Sequence, residues 1–164
     1  MRVARAFAST KFVHLQGWGE PLLNPRLFDM IKVAKDAGCR VGFTTNGTLL
    51  GEVASQRLLD LHLDLLAVSI AGATPQTHAA IRVGSDLLQI LNNLRRLLDL
   101  RARRKVPHPK VEIFFLMTKT NMTELPAVVE LAASVGADEL VATNLDYVPT
   151  EDQDGLKAFA CQSL

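Results

Sequence analysis

Cysteine is nearly absent, with two among 164 residues, Cys39 and Cys161, far apart in the chain. Two distant cysteines make neither a disulfide framework nor a metal knuckle, and each reads as a small apolar filler. Structural zinc and iron–sulfur clusters generally take three or four protein ligands. The four histidines, His14, His62, His78 and His108, show none of the short pairings such sites use. The chain therefore cannot ligate a cluster from its own cysteines. An excess of one charge is missing too: Lys and Arg number 18 against 17 Asp and Glu, a formal net charge of +1. That leaves no field to steer the chain toward nucleic acid or an anionic lipid surface, so neither partner is expected. No apolar run approaches the ~18 to 20 residues that cross a bilayer. Residues 1–15 lack a signal peptide's apolar stretch and small-residue cleavage site, and the expectation is a cytoplasmic protein. Low-complexity segments and linkers are also lacking, so residues 1–164 read as a single domain, large enough and, at 48% hydrophobic, apolar enough to bury a core.

What is present is alternation. Short β-branched or apolar runs recur at residues 13–15, 41–45, 65–70, 111–117 and 139–145, each followed by a longer stretch of helical spacing. This predicts a parallel sheet with helical crossovers, either an open doubly wound sheet or part of a β/α barrel. A complete eightfold barrel takes about 250 residues, more than this chain has. Gly38 and Gly136 follow predicted helices at 27–37 and 127–135, where a left-handed C-cap is expected. A third helix, 86–104, places Leu87, Leu91, Leu94 and Leu98 on one stripe, with Asn92, Asn93, Arg96 and Arg103 largely elsewhere. Its basic end, Arg101 to Lys105, reads as macrodipole compensation ahead of Pro107 and Pro109 rather than as an RNA patch. Residues 149–164 read as a loop leading into a further element.

In both architectures ligands gather at the carboxyl ends of the strands. After the first strand come Gln16, Gly17, Trp18, Gly19 and Glu20, which read either as a tight turn or as exposed peptide groups facing a ligand. The second strand ends in Thr44-Thr45-Asn46-Gly47, with Thr45 offering a hydroxyl at the rim and Asn-Gly forming a turn. In the third, Ser69 is the single polar residue of an apolar run, so its hydroxyl bonds a neighbouring backbone or faces a ligand. Thr74 and Pro75 start a short helix that Arg82 closes, Arg82 being either a surface residue or a ligand contact. His78 reads as a solvated helix residue. The fourth strand ends in Lys119-Thr120-Asn121, with Asn121 a candidate helix cap, and the fifth in Asn144-Leu145-Asp146-Tyr147. No phosphate-binding GxxxxGK[ST], HExxH or serine nucleophile elbow occurs.

Taken in order, residues 15–23 (LQGWGEPLL), 44–50 (TTNGTLL), 68–75 (VSIAGATP) and Ile81-Arg82 resemble the radical S-adenosylmethionine enzymes, most nearly their SPASM-type branch. Residues 117–121, 124–126 and 131–140 continue the likeness, which covers about residues 12–148. The resemblance implies an α/β fold, an incomplete parallel (β/α)6 TIM-type barrel with about five β/α units present. It implies that the turn of Gly17, Trp18, Gly19 and Glu20 holds the amino group of the cofactor's methionine moiety through its backbone. Thr45 and Asn46 would lie at the rim, and Ser69 with Arg82 would hold the cofactor's carboxylate or ribose. The fourth strand around Leu116 and Met117 and the end of the fifth at Asn144 would flank the adenine.

The sequence departs from the family pattern in lacking the Cys-x3-Cys-x2-Cys loop whose thiolates bind a [4Fe-4S] cluster, and in lacking the cysteine-rich extension of the SPASM branch. The expectation is a chain cut at both ends, its first strand the family's second and residues 1–10 the tail of the preceding helix. On this reading it is the S-adenosylmethionine-binding core of an enzyme that generates a 5′-deoxyadenosyl radical for hydrogen abstraction, inactive as this fragment. The cluster, an electron donor and a small-molecule or peptide substrate belong to the full-length form. A strand left unpaired at 12–15 makes a homodimer the expected assembly. Two alternatives stand beside this one: a cluster-free relative that binds a nucleotide or partner, and an unrelated β/α barrel enzyme acting on a phosphorylated metabolite, with Gly47 and Gly72 in anion-binding turns.

Overall fold

The computed structural model describes residues 9–145 and 155–159. Five strands, β1 (Phe12–His14), β2 (Arg40–Thr45), β3 (Leu65–Ile70), β4 (Lys110–Met117) and β5 (Glu139–Asn144), alternate with helices. The helices are α1 (Leu27–Asp36), α2 (Glu52–Asp60), α3 (Pro75–Ile81), α4 (Leu87–Arg103) and α5 (Leu125–Val135). Each strand pairs in parallel with the next, in the order β1-β2-β3-β4-β5. A doubly wound sheet reverses its order at a switch point. This one does not, and its strands curl into a half-barrel with helices between, the partial TIM-type α/β barrel expected.

Alternation along the strands separates a dry face from a wet one. On β4, Val111, Ile113 and Phe115 are buried in the core, while Glu112, Phe114 and Leu116 line a cavity on the other face. On β3, Leu66, Val68 and Ile70 go to the core, and Ala67 and Ser69 to the cavity. The core is closed by Leu27 and Ile31 of α1, Leu58 of α2, the Leu87, Leu91, Leu94 and Leu98 stripe of α4 and Val128 of α5. Burying each such side chain contributes roughly 1.5 to 3 kcal/mol, so the helices are held to the sheet by this layer.

Local chemistry sets the boundaries. Thr74 Oγ1 accepts the Thr77 N–H at 3.1 Å and Pro75 begins α3; Asp86 Oδ1 accepts the Leu88 N–H at 2.9 Å at the start of α4. Gly38 (φ +80°) and Gly136 (φ +78°) follow α1 and α5 in the left-handed region, as expected. The basic end of α4 is structural: Arg101 forks onto Asp138, Nη1 to Oδ2 at 2.5 Å and Nη2 to Oδ1 at 3.1 Å, and Arg104 pairs with Asp60. At the opposite end of the sheet from the cavity, Asp138 Oδ2 accepts the Val111 N–H and Asp64 Oδ2 accepts the Val41 N–H, both at 2.7 Å. Cys39 is buried, as a small filler should be.

Two polar residues differ from expectation. Asn121 stands at the cap position of the turn that follows, but its side chain caps nothing there: Oδ1 accepts the Thr118 N–H at 2.6 Å, and Nδ2 donates to Ala71 O and Leu116 O, both at 2.9 Å. It clasps the ends of β3 and β4, because those carbonyls have run out of ladder partners. Asn93 is buried rather than outward, with Nδ2 donating to Gly47 O at 3.0 Å. Cys161, Asp146 and Tyr147, most of the 149–164 loop and all but the last two residues of the helix tail expected at 1–10 lie outside the described residues. Among the described residues no helix is long and apolar enough to cross a membrane.

Candidate functional site

The carboxyl ends of β1 to β4 converge on a cavity of about 600 Å³. Its upper wall is the turn after β1. Gly19 has φ +104°, a conformation that favours glycine, and a Cβ added at Gly17 or Gly19 would meet nothing within 4 Å. The backbone of this turn therefore stands open to the cavity. Glu20 does not face a ligand first. Its Oε1 accepts the Thr45 hydroxyl at 2.6 Å and the Leu22 N–H at 3.1 Å, and its Oε2 accepts the Asn46 N–H at 2.7 Å. One carboxylate so fastens the turn to the end of β2. Thr45 Oγ1 in turn accepts the Gly47 N–H at 3.1 Å, and Asn46 Oδ1 holds the Thr48 N–H at 2.9 Å.

The facing wall carries Ser69 on β3 and Arg82 at the end of α3, with Arg82 Nη2 donating to Ser69 Oγ at 2.5 Å. Both alternatives for Ser69 thus narrow to a cavity-facing hydroxyl, and Arg82 is not a solvated surface residue. Its Nε is buried without a hydrogen-bond partner, and among the described residues no carboxylate forms an ion pair with it. Burial pulls the Arg82 guanidinium below its ordinary value, with the Glu20 charge pulling it back; an arginine keeps its proton nonetheless. Leaving a charge desolvated costs several kcal/mol, and one hydrogen bond from the charged group to a hydroxyl returns about 1.5 to 3. A further acceptor entering the cavity would complete the bonding of the guanidinium.

His14, Glu112 and Phe114, which line the same cavity, were not expected at the site. His14 Nε2 lies 2.8 Å from Gln16 Oε1 and 3.3 Å from Thr44 Oγ1. Glu112 is the one charged residue between the core-facing Val111 and the end of β4. Burial pushes the Glu112 carboxyl above its ordinary range and the neighbouring Glu139 adds to this, against the pull of Lys110 and His14. A lone Glu in an apolar strand was the signal that would have exposed it.

Of the residues expected at the site, Gly17, Gly19, Glu20, Thr45, Asn46, Ser69 and Arg82 line the one cavity. Three stand apart. Trp18 is fully exposed (101%) and borders an adjoining cavity of about 290 Å³ with Leu27 and Met30, which shares Gly17, Gly19 and Glu20 with the first. Met117 packs against the core, since strand alternation gives the cavity side to Leu116. Asn144 is occupied by the 155–159 segment: Nδ2 donates to Phe159 O at 3.0 Å and Oδ1 accepts the Ala158 N–H at 3.2 Å. His78, expected to be solvated, has 0% exposure. Its Nδ1 accepts the Ala71 N–H at 3.2 Å and its Nε2 bonds Ser85 Oγ at 2.9 Å.

The anion turns expected at Gly47 and Gly72 are filled by protein. A Cβ at Gly47 would lie 2.8 Å from Ile90 Cγ2, and one at Gly72 2.8 Å from the His78 nitrogen and Thr77 Cβ. Those glycines allow close packing, not ligand approach. Nor do the described residues hold any group of three or more His, Cys, Asp or Glu able to bind a metal ion, so their donor set does not fit an iron–sulfur cluster.

A family model described as the Radical SAM superfamily matches residues 1–132. A Pyrococcus furiosus protein described as a "tungsten-containing aldehyde ferredoxin oxidoreductase cofactor-modifying protein" is 28% identical over 143 residues, 87% of this chain and 40% of its own length. The "AdoMet-dependent heme synthase" of Methanosarcina barkeri is 34% identical over 119 residues, 73% of this chain and 32% of its own. The chain thus spans less than half the length of these curated relatives. Among solved structures, Streptococcus suis SuiB bound to S-adenosylmethionine shares the fold with a TM-score of 0.69, at 14% identity over 85% of this chain and 31% of SuiB. The structure of anSMEcpe with bound AdoMet does so with a TM-score of 0.60, at 19% identity over 85% and 40%.

Proposed function

The chain belongs to the radical SAM superfamily, and from that premise we propose that its cavity is the S-adenosylmethionine site of a SPASM-type enzyme acting on a small molecule or a peptide. The observation that carries this reading is Arg82, a part-buried guanidinium with an unpartnered Nε and no ion pair among the described residues, aimed into a cavity walled by open glycine backbone. The methionine moiety offers it a carboxylate, whose two oxygens match paired N–H donors. Ser69 Oγ, already accepting from Arg82, keeps its own proton for the same carboxylate or the ribose. The open backbone carbonyls of residues 16–19 would take the cofactor's amino group, and Glu20 fixes their aim through Thr45 and Asn46. Phe114 and Leu116, rather than Met117, offer the adenine an apolar wall.

The residues at this site would hold S-adenosylmethionine, and the chemistry it would supply beside a cluster is radical hydrogen abstraction. The two cysteines of this sequence are too few for the three thiolates such a cluster takes. We therefore read the chain as a single cofactor-binding domain of a longer protein that brings the cluster and its electron donor, and expect this polypeptide to bind the cofactor without cleaving it. β1 pairs only with β2 among the described residues, which supports self-association of two copies through the open edge; sedimentation at high concentration would show a dimer, and a monomer would count against it.

Calorimetric titration with S-adenosylmethionine tests the site. One-to-one binding is expected, weakened about tenfold or more by Arg82→Lys, which keeps the charge and loses the fork. Absence of binding, or binding indifferent to Arg82 and displaced by inorganic phosphate, would overturn the reading.

A further inference from the structure

We propose that His78 is a positioning residue for Arg82: its imidazole ties the end of β3 to the loop after α3, and so fixes the guanidinium in the cavity. The inference rests on Arg82 binding the cofactor and adds the group that sets Arg82 in place. Ala71, which donates to Nδ1, lies two residues beyond Ser69; Ser85, bonded to Nε2, lies three beyond Arg82. One ring thus spans the two segments that the Ser69–Arg82 bond joins on the cavity side. A backbone N–H can only donate, so Nδ1 is the bare nitrogen and Nε2 carries the hydrogen that Ser85 Oγ accepts.

Little else holds that loop from within. Arg82 has left the helix (φ −115°, ψ 79°), Val83 is 93% exposed, and Gly84 turns the chain at φ +78°. The loop's backbone bonds are Arg82 N–H to His78 O at 2.8 Å and Ser85 N–H to Arg82 O at 3.0 Å, both local. Besides the Arg82–Ser69 bond itself, the link to the end of β3 is the imidazole, and the absence of a side chain at Gly72 lets α3 sit close enough to make it.

The charged groups acting on His78 are Arg82 and, from the start of α4, Asp86. Glu124, ahead of α5, is taken up by the Ala73 N–H and the Thr77 hydroxyl. Burial first, and then the Arg82 charge, hold His78 below its ordinary value, with Asp86 opposing. Protonation would remove the Nδ1 acceptor, set two donors against each other and add a second cation beside Arg82. Cofactor affinity should therefore fall in acid.

Three variants of the full chain test this: His78→Phe, which lacks both polar atoms; His78→Asn, whose Oδ1 stands in for Nδ1; and Ser85→Ala, which removes the outer contact alone. The Arg82 Nε–H signal, read by NMR without cofactor, should be sharp in the parent, be broadened or lost in His78→Phe, and lie between the two in His78→Asn and Ser85→Ala. S-adenosylmethionine affinity should fall about tenfold in His78→Phe, and about threefold both in His78→Asn, which keeps the Ala71 contact alone, and in Ser85→Ala. The parent's loss of affinity in acid should vanish in His78→Asn. A folded His78→Phe with the parent's Arg82 signal and affinity overturns the inference. If His78→Phe does not fold, an unchanged Arg82 signal in Ser85→Ala does so. Failure of the parent to bind the cofactor refutes the functional reading, and the Arg82 signal still decides the positioning role.

Discussion

The Glu20 carboxylate is bonded to the Thr45 hydroxyl at 2.6 Å, across a sequence gap that joins the turn after β1 to the end of β2. With the Asn46 N–H on its other oxygen, it accepts both donors that the end of β2 presents. Glu20→Gln keeps the shape but replaces one acceptor oxygen by a donor, which must then oppose a backbone N–H, that of Leu22 on one oxygen or that of Asn46 on the other. Hydrogen bonds to charged groups contribute about 1.5 to 3 kcal/mol, and a loss in that range is expected from urea unfolding. S-adenosylmethionine affinity should fall with it, since the open backbone of the turn loses its brace.

Gly17 and Gly19 should separate fold from function. Gly17 lies outside the left-handed region and a Cβ there meets nothing, so Gly17→Ala should leave stability within about 0.5 kcal/mol. The added methyl projects from the backbone that the cofactor would approach, and affinity should drop about tenfold or more. Gly19→Ala forces a side chain to φ +104° and should cost about 1 kcal/mol or more in stability. Paired urea and calorimetric titrations check both; a Gly17→Ala protein that binds as the parent does would argue that the ligand does not approach this turn.

Much of this arrangement is legible in the sequence because it depends on chain order. Period-2 apolar runs and left-handed glycines mark β/α units without reference to partners, and Gly17 to Glu20, Thr45, Ser69 and Arg82 fall at strand ends, where any parallel barrel collects its ligands. What is not legible depends on which face a residue takes and what it meets across the sheet. Met117 and Leu116 are neighbours in sequence, yet one-residue alternation sends them to opposite sides. His78, Asn93 and Asn121 look like surface residues by type. Each is buried because a loop or strand end, seven residues away for His78 and far along the chain for the two asparagines, left a backbone group without a partner. Polar residues with such partners are indistinguishable in sequence from solvated ones.

Two acid transitions should be separable. His78 is held below its ordinary 6.5, so the unfolded chain binds its proton first: its contribution is complete above about pH 6.5 and is lost as pH falls through the lower folded value. Asp138 is opposed by burial but held below its ordinary 3.8 by the Arg101 fork and the Val111 N–H, so its contribution is complete above about pH 3.8 and is lost below that. Unfolding free energies measured from pH 8 down to pH 3 should show both declines. His78→Asn should flatten the first and leave the second, and Asp138→Asn the reverse. A single decline untouched by His78→Asn would mean that the imidazole is not held neutral.

Glu112 and Glu139 are register partners on adjacent parallel strands and sit on one face of the sheet. Burial on the Glu112 side raises its pKa and the neighbouring Glu139 adds to this, whereas Lys110 keeps the exposed Glu139 ionised. The sign is opposite to that of Asp138: below the ordinary carboxylate value both states are protonated at Glu112 and nothing is lost, and stability declines as pH rises through 4.5 toward the raised folded value. Glu112→Gln should therefore match the parent near pH 4 and exceed it at pH 8 in urea unfolding, by no more than about 1 kcal/mol because solvent screens much of the side chain. If Glu112→Gln were instead destabilising at pH 8, the carboxylate would have a stabilising partner in the fold that outweighs its burial and the neighbouring Glu139.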